Sequence, residues 1–178
     1  MKKNLIAVAV LASSVFAVTA AAAAADGQVD FVGKITDDAC VVTNNPGSPL
    51  QVNLGEVATT SFNVGGVPTA GVKSSATNFT IKLTGCPAAA TQAAVKFDGI
   101  AVSGDNTVLA LAAGGATGVG IQLSDDANTV VPLFTASKAY PLAAGNNDLN
   151  FVARYISTSA TITSGVANST ASFTLNYN

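Results

Sequence analysis

The chain has 178 residues, of which 49% are hydrophobic and only 10% are charged, and it contains no histidine. The high apolar content excludes an intrinsically disordered chain. The absence of histidine excludes Ser-His-Asp and Cys-His catalysis and histidine-based metal sites. The formal net charge of −2 argues against nucleic acid or an anionic membrane surface as a partner.

The first element in the chain has the pattern of a secretory signal peptide. Lys2 and Lys3 precede an apolar run over residues 5–18, and a row of alanines follows. The strongly apolar part is shorter than the ~20 residues that a membrane span needs, which favours a cleaved signal over an anchor. We therefore predict a signal peptide over residues 1–24 and export of the rest. Removal of Lys2 and Lys3 from the eight basic residues leaves six against ten acidic ones, a net charge of −4.

Two cysteines, Cys40 and Cys86, lie in the part that would be exported. A single disulfide is the expected state of such a pair. A metal pair or a reactive thiol is the alternative, but the chain offers neither a histidine nor a C-x-x-C motif in its support.

Short apolar runs with a period of two follow one another along the chain, separated by clusters of glycine, asparagine, aspartate and proline. This pattern predicts an all-β sandwich or barrel. The stretch TTSFNVGGVPTAGVKSSAT is predicted to be irregular, with at most a short edge strand. The runs are QVDFVGKI, LQVNLGEV, NFTIKLTGC, AAVKFDGIAV, TVLALA, VGIQLSD, TVVPLF, LNFVARYIST and ASFTLNY.

No group of residues in the sequence forms a convincing catalytic site. The paired carboxylates, Asp37 with Asp38 and Asp125 with Asp126, are sequence neighbours that would point apart on a strand and are typical of solvent-exposed turns. Neither a calcium-loop spacing nor a phosphate-binding glycine loop before a helix is present. We therefore expect no enzyme activity, no cofactor and no metal site.

The two ends of the exported chain both carry a strand pattern with one apolar face. A glycine within such a face often marks the close approach of another chain segment. Taken alone, the two rows could also be the ordinary first and last strands of one complete sandwich. The first row is Val29, Phe31, Gly33 and Ile35, and the last is Phe173, Leu175 and Tyr177.

Taken together, these segments resemble the pilins of bacterial chaperone–usher fimbriae, particularly type 1-like rod subunits. The resemblance is carried by VDFVGKITDDAC, FTIKLTGC, GVGIQL, NFVARYIST and the tail GVANSTASFTLNYN. In that tail Tyr177 is penultimate, and Gly165 is the fourteenth residue counted from Asn178. The resemblance implies an incomplete immunoglobulin-like β-sandwich that lacks its last strand, with a donor-strand extension at residues 25–39 and a pilin domain at residues 40–178.

The resemblance also implies the partners and the residues that bind them. The last strand, residues 172–177, would border an open groove. A periplasmic chaperone would fill the groove temporarily and hold the terminal carboxylate. An outer-membrane usher would then let the extension of the next copy replace the strand of the chaperone. The implied donor residues are Val29, Phe31, Gly33 and Ile35. The implied groove-edge and chaperone-binding residues are Gly165, Phe173, Leu175, Tyr177 and Asn178.

The sequence therefore predicts a structural subunit of a cell-surface fimbria that is exported through the periplasm and supports adhesion. A minor or adaptor subunit of the same kind of fimbria is one alternative. A free secreted carbohydrate-binding β-sandwich is another, and it would be a stable soluble monomer. A secreted hydrolase is a third, but it would need a cluster of polar catalytic groups that the sequence does not supply.

Overall fold

The computed structural model describes residues 29–31 and 39–177. The chain divides into Met1–Ile35 and Thr36–Asn178, and the two parts are described separately. Of the first part only residues 29–31 are described. They are not in a regular strand, and the side chains of Val29 and Phe31 are 75% and 94% exposed. The predicted signal peptide lies outside the described residues.

Residues 39–177 form β-strands joined by turns, with one short 3-10 helix at Thr59–Phe62. Among these residues no helix is long and apolar enough to cross a membrane. In chain order the strands are β1 Val41–Val42, β2 Asn63–Val64, β3 Val67–Pro68, β4 Thr77–Cys86, β5 Gln92–Gly99, β6 Ala101–Val102, β7 Asp105–Ala110, β8 Val119–Asp125, β9 Tyr140–Pro141, β10 Gly145–Ser157 and β11 Ala171–Tyr177.

Two antiparallel sheets pack face to face, as the sequence predicts. The larger has the order β1-β4-β10-β8-β7-β6 and the smaller has the order β11-β5-β9. Alternate residues of the long strands point into the space between the sheets, so that Ile81, Val95 and Phe151 are fully buried. The ring centroids of Phe97 in β5 and Phe151 in β10 lie 5.1 Å apart, which joins the two sheets at their centre.

The predicted disulfide between Cys40 and Cys86 is confirmed. It joins the start of the domain to the end of β4, with 46 residues of sequence separation and a Cα–Cα distance of 4.2 Å. Both cysteines belong to the buried core. The bond therefore fixes the start of the domain to β4, an inner strand of the larger sheet.

Two of the predicted strands are wrong. In the run over residues 50–57, Val52 and Leu54 pack against the core, but Gly55 has a φ of +70° and the segment forms no ladder with the described residues. In the run over residues 129–134, Pro132 lacks an N–H group and Phe134 has a φ of +65°, and neither suits an extended strand. Alternation in the first run reflects side-chain burial without strand pairing, and the second run forms a single isolated bridge, between Val130 and Ser124, and no continuous strand.

The stretch predicted to be irregular carries the 3-10 helix and a small hairpin. β2 and β3 pair only with each other, through Asn63 with Pro68 and Val64 with Val67. The two residues between them, Gly65 and Gly66, have φ values of +60° and +83°, which is the backbone that a two-residue hairpin turn requires. The predicted short edge strand is therefore a hairpin.

Candidate functional site at the last strand

The last strand, β11, is an edge strand of the smaller sheet. It pairs with β5 from Ala171 opposite Gly99 to Tyr177 opposite Ala93. No described residue pairs with its other side. An edge strand presents a row of backbone N–H and C=O groups to any chain that can lie beside it. The free side of β11 is therefore a template for one more strand.

The inner face of β11 is only half covered. Phe173, Leu175 and Tyr177 pack against the core cluster, yet each is only partly buried, while the residues between them are exposed. The ring centroids of Phe173 and Phe97 are 6.4 Å apart in an edge-to-face arrangement. A strand in a complete sandwich buries its inner row, so this half-burial indicates that part of the core beside β11 lacks a cover.

The far end of β11 lies at the start of the domain. Partial burial raises the pKa of the Tyr177 hydroxyl, and a hydrogen bond with the backbone of Cys40 opposes that shift. Because Cys40 is bonded to Cys86, this end of the strand is held beside the disulfide. The chain thus enters the domain next to the point where β11 ends.

Gly165 lies in the loop before β11 and is needed for close backbone contact. A Cβ atom at this position would lie 2.7 Å from the backbone nitrogen of Ala116 and 2.9 Å from the carbonyl carbon of Gly115. The same two segments are joined by a 2.8 Å hydrogen bond from the Ala116 N–H to the carbonyl oxygen of Val166. The glycine predicted as a site residue therefore positions the loop that leads to β11, and its role at the groove edge stays a prediction.

The change Gly165→Val is expected to lower the free energy of unfolding by about 1–3 kcal/mol, because the backbone of residues 115–116 would have to move. Urea denaturation measures the effect. The matched control is Ser164→Val, which adds a similar side chain at an exposed neighbouring position. Equal stability of the two variants would contradict this role of Gly165.

Comparison with known proteins supplies the family. The family model described as fimbrial protein matches residues 29–178. The chain belongs to the fimbrial protein family. It is 40% identical over 189 residues to the type-1 fimbrial protein A chain of Escherichia coli strain K12, a match that covers 99% of this chain and 100% of that protein. It is 37% identical over 174 residues to long polar fimbria protein A of Salmonella typhimurium, with 96% and 92% covered.

Solved structures agree with the predicted pilin fold. This fimbrial subunit matches the crystal structure of a Burkholderia pseudomallei antigen and type I fimbria protein with 39% identity and a TM-score of 0.60, covering 80% of this chain and 91% of that one. It also matches the P pilus rod subunit PapA with a TM-score of 0.65 at 23% identity, covering 78% and 99%, a likeness of fold alone. The predicted incomplete immunoglobulin-like sandwich and the role as a structural subunit of a surface fimbria are thereby confirmed.

Apart from Gly165 and the two disulfide cysteines, which are described above, the predicted site residues of the fimbrial subunit fall into three groups. Phe173, Leu175 and Tyr177 lie together on the inner face of β11. Val29 and Phe31 are exposed in the first part of the chain. The other three predicted residues, Gly33, Ile35 and Asn178, lie outside the described residues.

One of the paired carboxylates differs from its prediction. Asp125 is buried at the end of β8, where its Oδ1 accepts hydrogen bonds from the N–H groups of Ala127 at 2.9 Å and Thr129 at 2.8 Å. Asp126 is exposed, and a hydrogen bond with Lys138 holds its pKa below the usual range. An aspartate at the start of a turn commonly binds backbone N–H groups in this way, so the segment DDAN carried a signal for this role.

Proposed function

We propose that this fimbrial subunit polymerises by donor-strand exchange, in which residues 29–35 of one copy lie beside β11 of the preceding copy. The observation that carries the proposal is the free edge of β11 with its half-covered row of apolar side chains. The exposed Val29 and Phe31 are part of a row that could supply the missing cover. The first part of one chain would thus complete the sandwich of another.

Strand addition of this kind combines two stabilising effects. Backbone hydrogen bonds along β11 give affinity, and alternate side chains that fill the uncovered core give specificity. Burial of Phe31 and Ile35 would contribute ~1.5–3 kcal/mol each, and each backbone hydrogen bond would add ~0.5–1.5 kcal/mol. Gly33, in the same row, would lie where the acceptor leaves no room for a side chain. A head-to-tail contact between two different surfaces gives an open filament when successive copies do not close into a ring, and a filament is the product that we propose.

The free edge of β11 also indicates which partners the subunit needs before it is assembled. An uncovered strand beside apolar side chains promotes aggregation, so the newly exported subunit needs a temporary cover. A periplasmic chaperone would pair with β11 and bind the carboxylate of Asn178, and an outer-membrane usher would let the next copy displace it. We propose residues 1–24 as the signal, 25–39 as the donor extension and 40–178 as the pilin domain. The family match from residue 29 and the disulfide at Cys40 support this division.

We also propose that the subunit has no catalytic activity. The buried carboxylate, Asp125, is occupied by backbone hydrogen bonds within its own turn. The exposed one, Asp126, is paired with Lys138. Both carboxylates therefore have a structural role that leaves neither free to act on a substrate.

The change Phe31→Asp is expected to reduce the number of fimbriae on the cell surface at least tenfold, because a carboxylate would enter the apolar groove of the neighbour without a partner. The count is made by electron microscopy of cells that express the subunit with its assembly partners. The matched control is Val32→Asp, because successive side chains of a strand point to opposite faces and this one would face away from the groove. Similar losses for both variants would contradict the proposed pairing.

A further inference from the structure

An apolar hollow lies just before the start of β11. It has a volume of about 230 Å³ and is lined by Ile100, residues 110–112 and residues 168–170. None of these residues is charged. The side chain of Ile100 is 78% exposed, which makes it one of the most exposed large apolar side chains among the described residues.

The hollow lies at the Ala171 end of β11, on the side where β11 pairs with β5. Thr170 immediately precedes Ala171, and Ala171 pairs with Gly99, which immediately precedes Ile100. At about 3.4 Å per residue, the hollow lies roughly 20 Å from the Tyr177 end of the strand. Its walls are held by hydrogen bonds from the Ser169 hydroxyl to the carbonyl of Ala110 and from the Ala112 N–H to the carbonyl of Asn168.

The position of Cys40 gives the direction in which a donor segment would enter. The extension of each copy joins its domain at Cys40, which lies at the Tyr177 end of β11. In a head-to-tail filament, the next copy must therefore lie at the opposite end, beside Ala171. Its inserted segment would run antiparallel to β11, like every paired strand in the domain.

We propose that the hollow binds the base of the next copy, with Val41 of that copy as the apolar side chain that contacts Ile100. Val41 follows Cys40 directly and is 62% exposed. It lies six residues after Ile35, which at about 3.3 Å per residue places it within roughly 20 Å of the donor position beside Ala171. The contact extends the donor-strand interface and rests on the proposed function.

Photocrosslinking in assembled fimbriae tests this contact. A benzophenone amino acid replaces Ile100, and the full chain is assembled on cells with its partners. Irradiation should give a covalent dimer, and tandem mass spectrometry should place the bond at residues 39–43 of the second chain. The same amino acid in place of Phe134, which is also exposed but lies along the other edge of β5, should give no bond to residues 39–43.

Two further variants separate this inference from the proposed function. A benzophenone amino acid in place of Val41 should crosslink to residue 100 or 111 of another chain. One in place of Leu175 should crosslink to residues 29–35 of another chain, which reports donor-strand exchange alone. The inference is overturned if the Leu175 replacement crosslinks to residues 29–35 but the Ile100 replacement does not crosslink to residues 39–43 and the Val41 replacement does not crosslink to residue 100 or 111. The proposed function then stands. If the Leu175 replacement gives no crosslink to residues 29–35 in intact fimbriae, both the inference and the proposed function are overturned.

Discussion

Transfer of residues 26–38 to a position after Asn178, through a short flexible linker, is expected to give a stable monomer. The transferred segment would lie beside β11 of its own chain, bury the inner row of Phe173, Leu175 and Tyr177, and remove the donor that other copies need. If the segment runs antiparallel to β11, it begins at the Tyr177 end, and about four linker residues suffice for a hairpin. A parallel segment would need a linker that spans the strand, roughly 20 Å.

The expected gain in thermal stability is large. Two apolar side chains at ~1.5–3 kcal/mol each, together with several hydrogen bonds at ~0.5–1.5 kcal/mol each, give roughly 5–10 kcal/mol. At about 2–4 °C per kcal/mol for a domain of this size, the melting temperature should rise by roughly 10–40 °C. The reference is the chain that lacks residues 26–38 and carries no transferred segment.

The control for specific insertion is Gly33→Leu within the transferred segment. A bulky side chain at this position is expected to remove most of the gain, because in the proposed pairing the groove would leave no room for it there. Circular dichroism gives the melting temperatures, and size-exclusion chromatography gives the oligomeric state. An equal melting temperature with and without the transferred segment would contradict the account.

Removal of the disulfide is expected to have the second large effect. In the self-complemented monomer, the double change Cys40→Ala and Cys86→Ala should lower the free energy of unfolding by about 4 kcal/mol. This is the chain-entropy value for closing a loop of this sequence separation. Urea denaturation measures the difference.

A matched control for the disulfide is Val41→Ala, which changes the exposed residue next to Cys40 and should alter stability by no more than about 0.5 kcal/mol. The same disulfide holds Cys40, where the proposed donor extension joins the domain, near Tyr177 at the end of β11. The same double change in the full chain, which keeps residues 26–38 in place, should therefore give fewer fimbriae. A loss of stability no larger than that of the control would show that the bond does not restrain the unfolded chain.

The sequence predicted the strands whose pattern is imposed by the core. β8 coincides with the run VGIQLSD, whose side chains are buried on both faces of the sheet. β11 coincides with the run ASFTLNY, in which every second side chain is partly buried. The disulfide was predictable for a similar reason, since two cysteines in an exported chain leave one natural pairing.

The sequence could not predict features that depend on a second segment far away in the chain. Val52 and Leu54 alternate as they would in a strand, but alternation reports burial of side chains and does not show whether a backbone partner exists. The sequence around Gly165 did not show why a glycine is needed there. A side chain at this position would clash with the backbone of residues 115–116, which lie far away in the sequence. Asp125 and Asp126 are adjacent, yet only the fold places one inside and one outside.

Electron cryomicroscopy of assembled fimbriae is the most direct test of the central claim, that one copy completes the sandwich of another. The account predicts a strand of residues 29–35 beside β11, running antiparallel to it and continuous with Cys40 of the next copy. A map in which the strand beside β11 leads to Cys40 of the same copy, or in which no strand lies there, would contradict it.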